Sequence, residues 1–461
     1  MVNLGIFLRE HKIELIIFVV ALLARCVYLG LEVQHHPDGL IGAVQGADGY
    51  YVISENIIHG HGFSGELAPP YTLNSFRPPV QPYFLALTYQ VFGNYWLPLV
   101  LLLVLGSLLP IIAMRITRYM FDSRTIITGT GVILALEPVS ILYSTLFYSE
   151  TLFMFFFLLS FFFLFKYMRH EVWYHGVIGV ALLGIATLTK AVSMYLPLVL
   201  IPFFILHFRK ELTRARLYAV GVGIAVFLLV LSPWLYRNYH EFGSIGVTSE
   251  EGVTLYTVLV PSVLAIKNGT SFQQEYTAWI AQGIQGPNKA TIDLNGQYVR
   301  KAIPILLSHP VALTFLTANT SLSFFTHDGM LDVLKKVGAR PDQMLGKPAL
   351  FLLLSDPMRL LGFIGYYAAT PAILILVLRL VWFVTTVLFF LGAVQAMRQQ
   401  RFTFYTTAAF ATVLYFALMT LTIGLTVNSR YRLPVEFLII PFALYGFLYS
   451  KDLWRRLRSG S

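Results

Sequence analysis

An all-α, polytopic membrane protein is the fold class that this sequence predicts, and three observations predict it. Of the 461 residues, 57% are hydrophobic and only 12% are charged, about half the charge of an ordinary soluble protein. Mean hydropathy is +0.69, and the apolar residues gather in runs that approach the roughly 20 residues a helix needs to cross a bilayer. The 33 Lys and Arg outnumber the 23 Asp and Glu, for a net charge of +10. They sit in short clusters between the apolar runs, which is how positive charge orients a membrane protein. A disordered chain, a collagen-like chain and an ordinary cytosolic enzyme are excluded. The single cysteine, Cys26, lies inside the first apolar run, so no intramolecular disulfide can form and thiol chemistry is not expected.

Ten runs read as spans: 13–31, 96–114, 126–143, 151–165, 176–188, 193–208, 217–235, 371–397, 404–425 and 434–449. The first has charged flanks and no convincing small-residue cleavage site after it, so it reads as an anchor and not as a removed signal peptide. With the N-terminus placed in the cytoplasm, the inside connections hold Arg9 and Lys12; Arg115, Arg118 and Arg124; Lys166 and Arg169; Arg209, Lys210, Arg214 and Arg216; Arg398 and Arg401; and Lys451, Arg455, Arg456 and Arg458. The first outside loop has Arg77 alone against Glu32, Asp38, Asp48, Glu55 and Glu66. This asymmetry predicts a multi-pass protein of the plasma (inner) membrane with both termini cytoplasmic. Residues 303–325 leave two readings open. They cross, and 349–367 then crosses back to give twelve spans, or all of 236–370 stays outside as interfacial helices. Pro304, Pro310, His309 and Asn319 within the first stretch favour the surface reading. The resulting division is a transmembrane module over 1–235 with a catalytic first outer loop at 32–82, an extracytoplasmic segment over 236–370, and C-terminal helices over 371–461.

The cytoplasmic connections are about ten residues each, far short of the roughly hundred that a nucleotide-binding domain needs. No glycine-rich phosphate loop precedes a helix. Polar and aromatic material collects outside, so the working face is expected there. Asp48 follows the first membrane exit and precedes Gly49, Tyr50 and Tyr51. Taken alone, a loop aspartate is most simply a helix cap or a solvated charge. His59 and His61 form a helix-ending turn, a weak metal signal without a nearby carboxylate.

The order of several short motifs resembles the GT-C superfamily of polytopic glycosyltransferases, whose members include the protein O-mannosyltransferases and the lipid A aminoarabinose transferases. These are Ala47-Asp48-Gly49-Tyr50-Tyr51, the stretch 56–63 ending His-Gly-His-Gly-Phe, and Arg77-Pro78-Pro79-Val80-Gln81-Pro82. They continue with Tyr143-Ser144 to Ser149-Glu150, Thr187-Leu188-Thr189-Lys190, Ser232-Pro233-Trp234-Leu235-Tyr236-Arg237-Asn238-Tyr239 and Arg430-Tyr431-Arg432-Leu433-Pro434. The resemblance implies a GT-C-like bundle of about ten, or twelve, transmembrane helices with extracytoplasmic loop helices. It implies transfer of a sugar from a polyprenyl-phosphate donor to a hydroxyl of a lipid, glycan or protein acceptor at the extracytoplasmic face. Asp48 and Glu150 are then the catalytic carboxylates. Lys190, Arg237, Arg430 and Arg432 hold the donor phosphate, and Tyr50, Tyr51, Arg77, Asn238 and Tyr431 contact substrate.

That chemistry suits these residue types. An attacking hydroxyl must lose a proton to a positioned carboxylate, and a departing phosphate needs Lys or Arg at the membrane edge. The sequence departs from the oligosaccharyltransferase members, which pair carboxylates as Asp-x-Asp or Glu-x-Glu around a divalent metal. Neither Asp48 nor Glu150 has such a partner, which points to a monophosphate donor. No cofactor is expected, and a divalent metal stays open. The competing classes are a flippase or transporter of lipid-linked glycans and an O-antigen ligase or polymerase. Against a transporter, no internal repeat is found and most ionisable residues crowd the outer edge. Arg25 and Arg379 have no evident place.

Overall fold

The computed structural model describes residues 11–209, 213–339, 341, 349–399 and 403–459, and among them there is no β-strand, only one bridge between Ser64 and Leu73. The chain begins with α1 (Lys12–His35), α2 (Gly39–Val44), α3 (Tyr50–Ile58) and α4 (Val80–Phe92). A block of apolar helices follows: α5 (Trp96–Met120), α6 (Arg124–Ala135), α7 (Pro138–Thr145), α8 (Glu150–His170), α9 (Trp173–Thr189), α10 (Leu196–His207) and α11 (Arg214–Phe242). Shorter helices come next: α12 (Glu250–Thr254), α13 (Val260–Asn268), α14 (Phe272–Ile280), α15 (Asn295–Leu307), α16 (Pro310–Thr326), α17 (Met330–Lys336), α18 (Ala349–Ser355) and α19 (Pro357–Ala368). The last three are α20 (Ile373–Arg398), α21 (Phe404–Thr420) and α22 (Glu436–Ser459).

Among the described residues seven helices are long and apolar enough to cross a membrane, nine if each of two bent pairs is one span. The expected span 126–143 is one of these pairs, α6 and α7, bent by 49°. The break falls where Glu137 leaves the helical region and Pro138 starts the next helix, Glu137 Oε2 accepting from the Ser140 amide. Expected spans 176–188 and 193–208 are the shorter apolar helices α9 and α10. The ambiguous stretch 303–325 is bent by 105° between α15 and α16, so it cannot be one straight span. Pro310 at the first helical position and His309 before it make that corner. Stretch 349–367 is likewise two helices, broken at Asp356, whose carboxylate caps the Arg359 amide.

The core forms because helical spacing stacks one residue type. Phe153, Phe157, Phe161 and Phe165 recur every four residues of α8, share one face and are fully buried. Phe157 meets Phe416 of α21 at 5.4 Å and Phe437 of α22 at 6.1 Å, and Phe161 lies 5.8 Å from Phe437. The C-terminal helices thus pack into the N-terminal block within one hydrophobic core.

Two arginines lie inside this core, and each is enclosed by acceptors. Arg25 donates to the Ser140 hydroxyl and the Ala21 carbonyl, both at 3.0 Å. Arg432 donates to Glu436 at 3.0 Å and to the carbonyls of Phe324 and Phe325 at 3.0 and 3.1 Å, with its guanidinium 3.5 Å from the Trp382 ring. Arg432 was expected among the phosphate donors. The structure turns it inward instead, because its neighbour Glu436 sits one helical turn on and only a paired charge is tolerated at that depth. Arg379 is placed by Asp328, whose Oδ2 accepts from its Nε at 2.6 Å.

The first loop and the segment after α11 meet at one end of the bundle, the loop face. Ser75 accepts from Ser249 at 2.9 Å and from Ile292 at 2.8 Å, and Asn74 donates to the Asn288 carbonyl at 3.1 Å. Helix α17 is fastened to α1 by the Lys336–Glu32 pair at 3.1 Å and by Tyr28 donating to the Val333 carbonyl.

Replacing Arg432 with Met leaves the buried Glu436 without its partner, which should cost about 3–5 kcal/mol. Thermal unfolding in detergent checks this, and the double replacement Arg432→Met with Glu436→Leu should recover most of the loss.

Candidate active site

The site grows from two turns. Between α2 and α3 the chain reverses at Gly46, whose φ is +68° and whose missing β-carbon leaves room for the Tyr148 ring. The Tyr148 hydroxyl accepts from the Ala47 amide at 2.9 Å, so Asp48 is held against the α7–α8 connection. The second turn is 428–432. Asn428 caps it by accepting from the Arg430 amide at 3.0 Å, which directs Arg430 toward the first loop.

Arg430 then joins the two acidic motifs. Its Nη2 pairs with Asp48 Oδ2 and its Nε with Glu150 Oε1. Lys190, just beyond the end of α9, donates to the same Glu150 oxygen at 2.6 Å. Arg77 stands 3.8 Å from Asp48 Oδ1. The guanidinium of Arg430 lies over the rings of Tyr148 at 4.6 Å and Tyr143 at 5.4 Å, a favourable cation–π setting. Glu150 is fully buried, and as the first residue of α8 its charge also meets the positive end of that helix.

Burial by itself would raise the Asp48 carboxyl. The Arg430 and Arg77 guanidiniums outweigh it and hold the group well below the usual carboxylate range. Burial and the nearby Asp48 and Glu250 charges push the Tyr50 phenol upward against the pull of Arg77, so it stays a neutral donor to Ser149 at 3.2 Å.

The remaining expected residues fall into two groups. Tyr50 and Tyr431 border the charge cluster: Arg77 lies 5.2 Å from the Tyr50 ring and Lys190 lies 5.9 Å from the Tyr431 ring. Tyr51 faces away into an aromatic group with Tyr95 and Phe147. Arg237 is not brought to the other cations. It donates to the Asn74 carbonyl at 3.0 Å and to Asn238 at 2.8 Å, boxed by Trp234, Phe63 and Phe242. Asn238 in turn donates to the carbonyls of Gly246 and Val247. The Pro-Trp-x-x-Arg-Asn stretch is therefore a fastener: Asn74 accepts from the Arg77 amide, so Arg237 steadies the loop that carries Arg77. A motif cannot tell a cation for a ligand from a cation for a carbonyl, since both need only a guanidinium.

Sequence reading did not single out Tyr148 or Glu250. Glu250, at the start of α12, lies close enough to Arg77, Tyr50 and Tyr431 to act on their charge. Its neighbours Thr248, Ser249 and Glu251 give a helix-capping pattern that hides a site residue. Tyr148 was within the quoted second acidic motif. Among the described residues no three His, Cys, Asp or Glu side chains gather as metal ligands.

Residues 76–236 match the dolichyl-phosphate-mannose-protein mannosyltransferase family. No curated protein matches this sequence. The structure is similar to the oligosaccharyltransferase of Archaeoglobus fulgidus tethered to an acceptor peptide, at 15% identity and TM-score 0.52, covering 98% of this chain and 51% of that one. The same archaeal enzyme, AglB, in complex with an inhibitory peptide and a dolichol-phosphate, matches at 15% identity and TM-score 0.52 over 98% and 52%. The chain thus spans about half the length of that enzyme. ArnT from Cupriavidus metallidurans bound to undecaprenyl phosphate matches at 15% identity and TM-score 0.40 over 94% and 77%. The chain resembles the GT-C superfamily, and its fold is that of the matching half of the archaeal oligosaccharyltransferase.

Arg237→Ala should lower stability by about 2–4 kcal/mol, through lost packing and an orphaned Asn74 carbonyl. Polyprenyl phosphate binding, measured by thermophoresis, should fall less than it does in Lys190→Ala. Equal or greater loss in the Arg237 variant, with its folding intact, would return Arg237 to the phosphate.

Proposed function

We propose that this chain is a membrane glycosyltransferase that moves a sugar from a polyprenyl-phosphate donor to an acceptor hydroxyl at the loop face of the bundle. One observation carries the reading: Arg430 bonds Asp48 and Glu150 together, with Lys190 on Glu150 and Arg77 beside Asp48. A base for the acceptor and cations for the leaving phosphate thus lie within one side chain of each other, at the ends of apolar helices where a lipid headgroup can reach.

The roles follow from the chemistry. A carboxylate gripped by two guanidiniums is a weak base, so Asp48 must be released to act. The donor phosphate competes for Arg430 and Lys190, and drawing Arg430 away raises the basicity of Asp48 as the donor settles. The Asp48 carboxylate accepts the proton of the acceptor hydroxyl, the hydroxyl oxygen attacks the anomeric carbon, and the sugar–phosphate bond breaks with its electron pair going to the leaving phosphate. Arg430 and Lys190 stabilise the charge that gathers on the phosphate oxygens. Glu150 keeps the two cations side by side, and Tyr50, Tyr431 and Arg77 line the sugar side.

Three further features support the donor class. An apolar groove of about 640 Å³ runs between α9, α10 and α11, from Trp173 and Ala215 to Met194 and Leu235 beside the Lys190 turn. Its apolar lining suits an isoprenoid tail whose headgroup sits at Lys190. The archaeal enzyme of the same fold is seen with a dolichol-phosphate. A divalent metal, which oligosaccharyltransferases of this superfamily hold between paired carboxylates, does not fit the residues present, because Asp48 and Glu150 are bridged by Arg430 and, among the described residues, no third ligand joins them. On this reading both termini are cytoplasmic and the loop face lies outside, which the basic clusters named above support.

The test is release of polyprenyl phosphate from polyprenyl-phosphate sugars by the purified protein in nanodiscs. Asp48→Asn keeps size and should lower turnover by about 10²–10⁴-fold, or roughly 3–5 kcal/mol of barrier. Turnover within about threefold of wild type would remove Asp48 as the base and leave Glu150 as the next candidate. A pH series gives an independent check. In the free enzyme Asp48 is depressed below the usual range, so it is ionised at every pH above that range and loses its charge only in stronger acid. The wild-type to Asn ratio of kcat/KM should therefore stay constant from about pH 5 to 8. A ratio that falls with acid in that window would mean that the Asp48 carboxyl lies above the usual carboxylate range, which overturns the depression by Arg430 and Arg77.

A further inference from the structure

Turn 428–432 is gripped by one stretch of chain, the joint between α16 and α17. His327 Nδ1 accepts from the Gly329 amide at 3.1 Å and from the Ser429 amide at 3.3 Å. Both donors are backbone N–H groups, so Nδ1 must carry the lone pair and Nε2 the proton. Gly329, at φ +71°, lies so close to Ser429 that a β-carbon would overlap the serine hydroxyl. Three residues beyond Ser429, Arg432 donates to the carbonyls of Phe324 and Phe325. The turn is thus held on both sides of Arg430. The joint itself is fixed: Asp328 caps the Met330 amide at 2.8 Å and binds Arg379, and α17 is tied to α1 through Lys336 and Glu32.

We propose that His327 is a positioning residue for transfer: by accepting the Ser429 amide it sets where Arg430 stands, and so aligns the phosphate cations with the base. The proposal rests on the function proposed above. Alignment matters because Arg430 must reach Asp48, Glu150 and a phosphate oxygen from one backbone position, and a misplacement of about 1 Å can cost two orders of magnitude in rate. A histidine suits the task because a neutral ring offers one acceptor on a stiff plane. Burial, with the Arg379 and Arg432 cations outweighing Asp328, brings the imidazole down to about 4, so at neutral pH the acceptor stays available. His327 touches neither carboxylate of the site; it acts through the backbone of Ser429.

The experiment compares His327→Leu, which removes the acceptor, with His327→Asn, whose Oδ1 can take the place of Nδ1. It uses the full chain in nanodiscs. Three quantities are read: kcat and KM for a polyprenyl-phosphate sugar, the rate at which phenylglyoxal labels Arg430 by mass spectrometry, and the thermal midpoint. The Leu variant should lose roughly 10–100-fold in kcat with a smaller change in KM, and Arg430 should label faster as its ion pairs loosen. The Asn variant should regain most of both. A folded Leu variant with wild-type kcat and labelling would overturn the proposal. So would an Asn variant that regains the thermal midpoint and neither kcat nor slow labelling, since that pattern is purely structural. If the Leu variant does not fold, His327→Gln decides: its acceptor is one bond further out, and wild-type kcat and labelling there would also overturn it. Should wild type transfer no sugar, the functional reading fails, and the labelling rates still decide whether His327 places Arg430.

Discussion

One guanidinium organises the loop face. Arg430 comes from the turn before the last helix, Asp48 from the first loop and Glu150 from the start of α8, and this set of ion pairs joins all three. Two carboxylates this near would repel each other and one would protonate. The cation between them, with Lys190 on the far side of Glu150, keeps both ionised. Any element that carries one of these groups is therefore constrained by the others. Gly46 must turn under Tyr148, Asn428 must cap the late turn, and the α7–α8 connection must bring Tyr143 and Tyr148 beneath the guanidinium.

The arginines of this protein divide by what surrounds them. Arg25 and Arg432 lie among apolar helices and are closed in by carbonyls, hydroxyls and a carboxylate. Opening such a set would leave a charge in the core, and so these residues hold helices together. Arg237 serves loops, not helices, by joining the Asn74 turn to the end of α11. Arg430 differs in that its partners are carboxylates at the loop face, for which an incoming anion can compete. The same side chain is thus an anchor or a working group according to whether its acceptors can be exchanged.

The two loop segments are interdependent. Ser75 receives amides from Ser249 and Ile292, Asn74 reaches Asn288, and Arg237 and Asn238 tie both to α11. A site built this way is assembled only when the segment after α11 has folded onto the first loop. This explains why helices as short as α12 and α17, which would not be stable alone, are ordered beside it.

The membrane class and the long apolar helices were determined by the sequence itself. Hydrophobic burial depends only on composition and period, so the phenylalanine stripe of α8, the break at Glu137-Pro138 and the corner at His309-Pro310 are all written locally. The residues of the charge cluster were legible too, because carboxylates and basic residues at the ends of apolar runs are costly there and so call for a partner. Which partner was decided by tertiary structure alone. Arg430 and Arg432 are two residues apart in one motif, and a half-turn of backbone sends the first to the loop face and the second to Glu436. Arg237 sits in an equally suggestive motif and meets a carbonyl. His327 and Glu250 are brought to the site by packing, with no periodic signal to mark them. The pairs that Arg430 makes join groups 280 and 382 residues apart, and a one-dimensional pattern fixes where a charge lies along a helix but not which oxygen it will face.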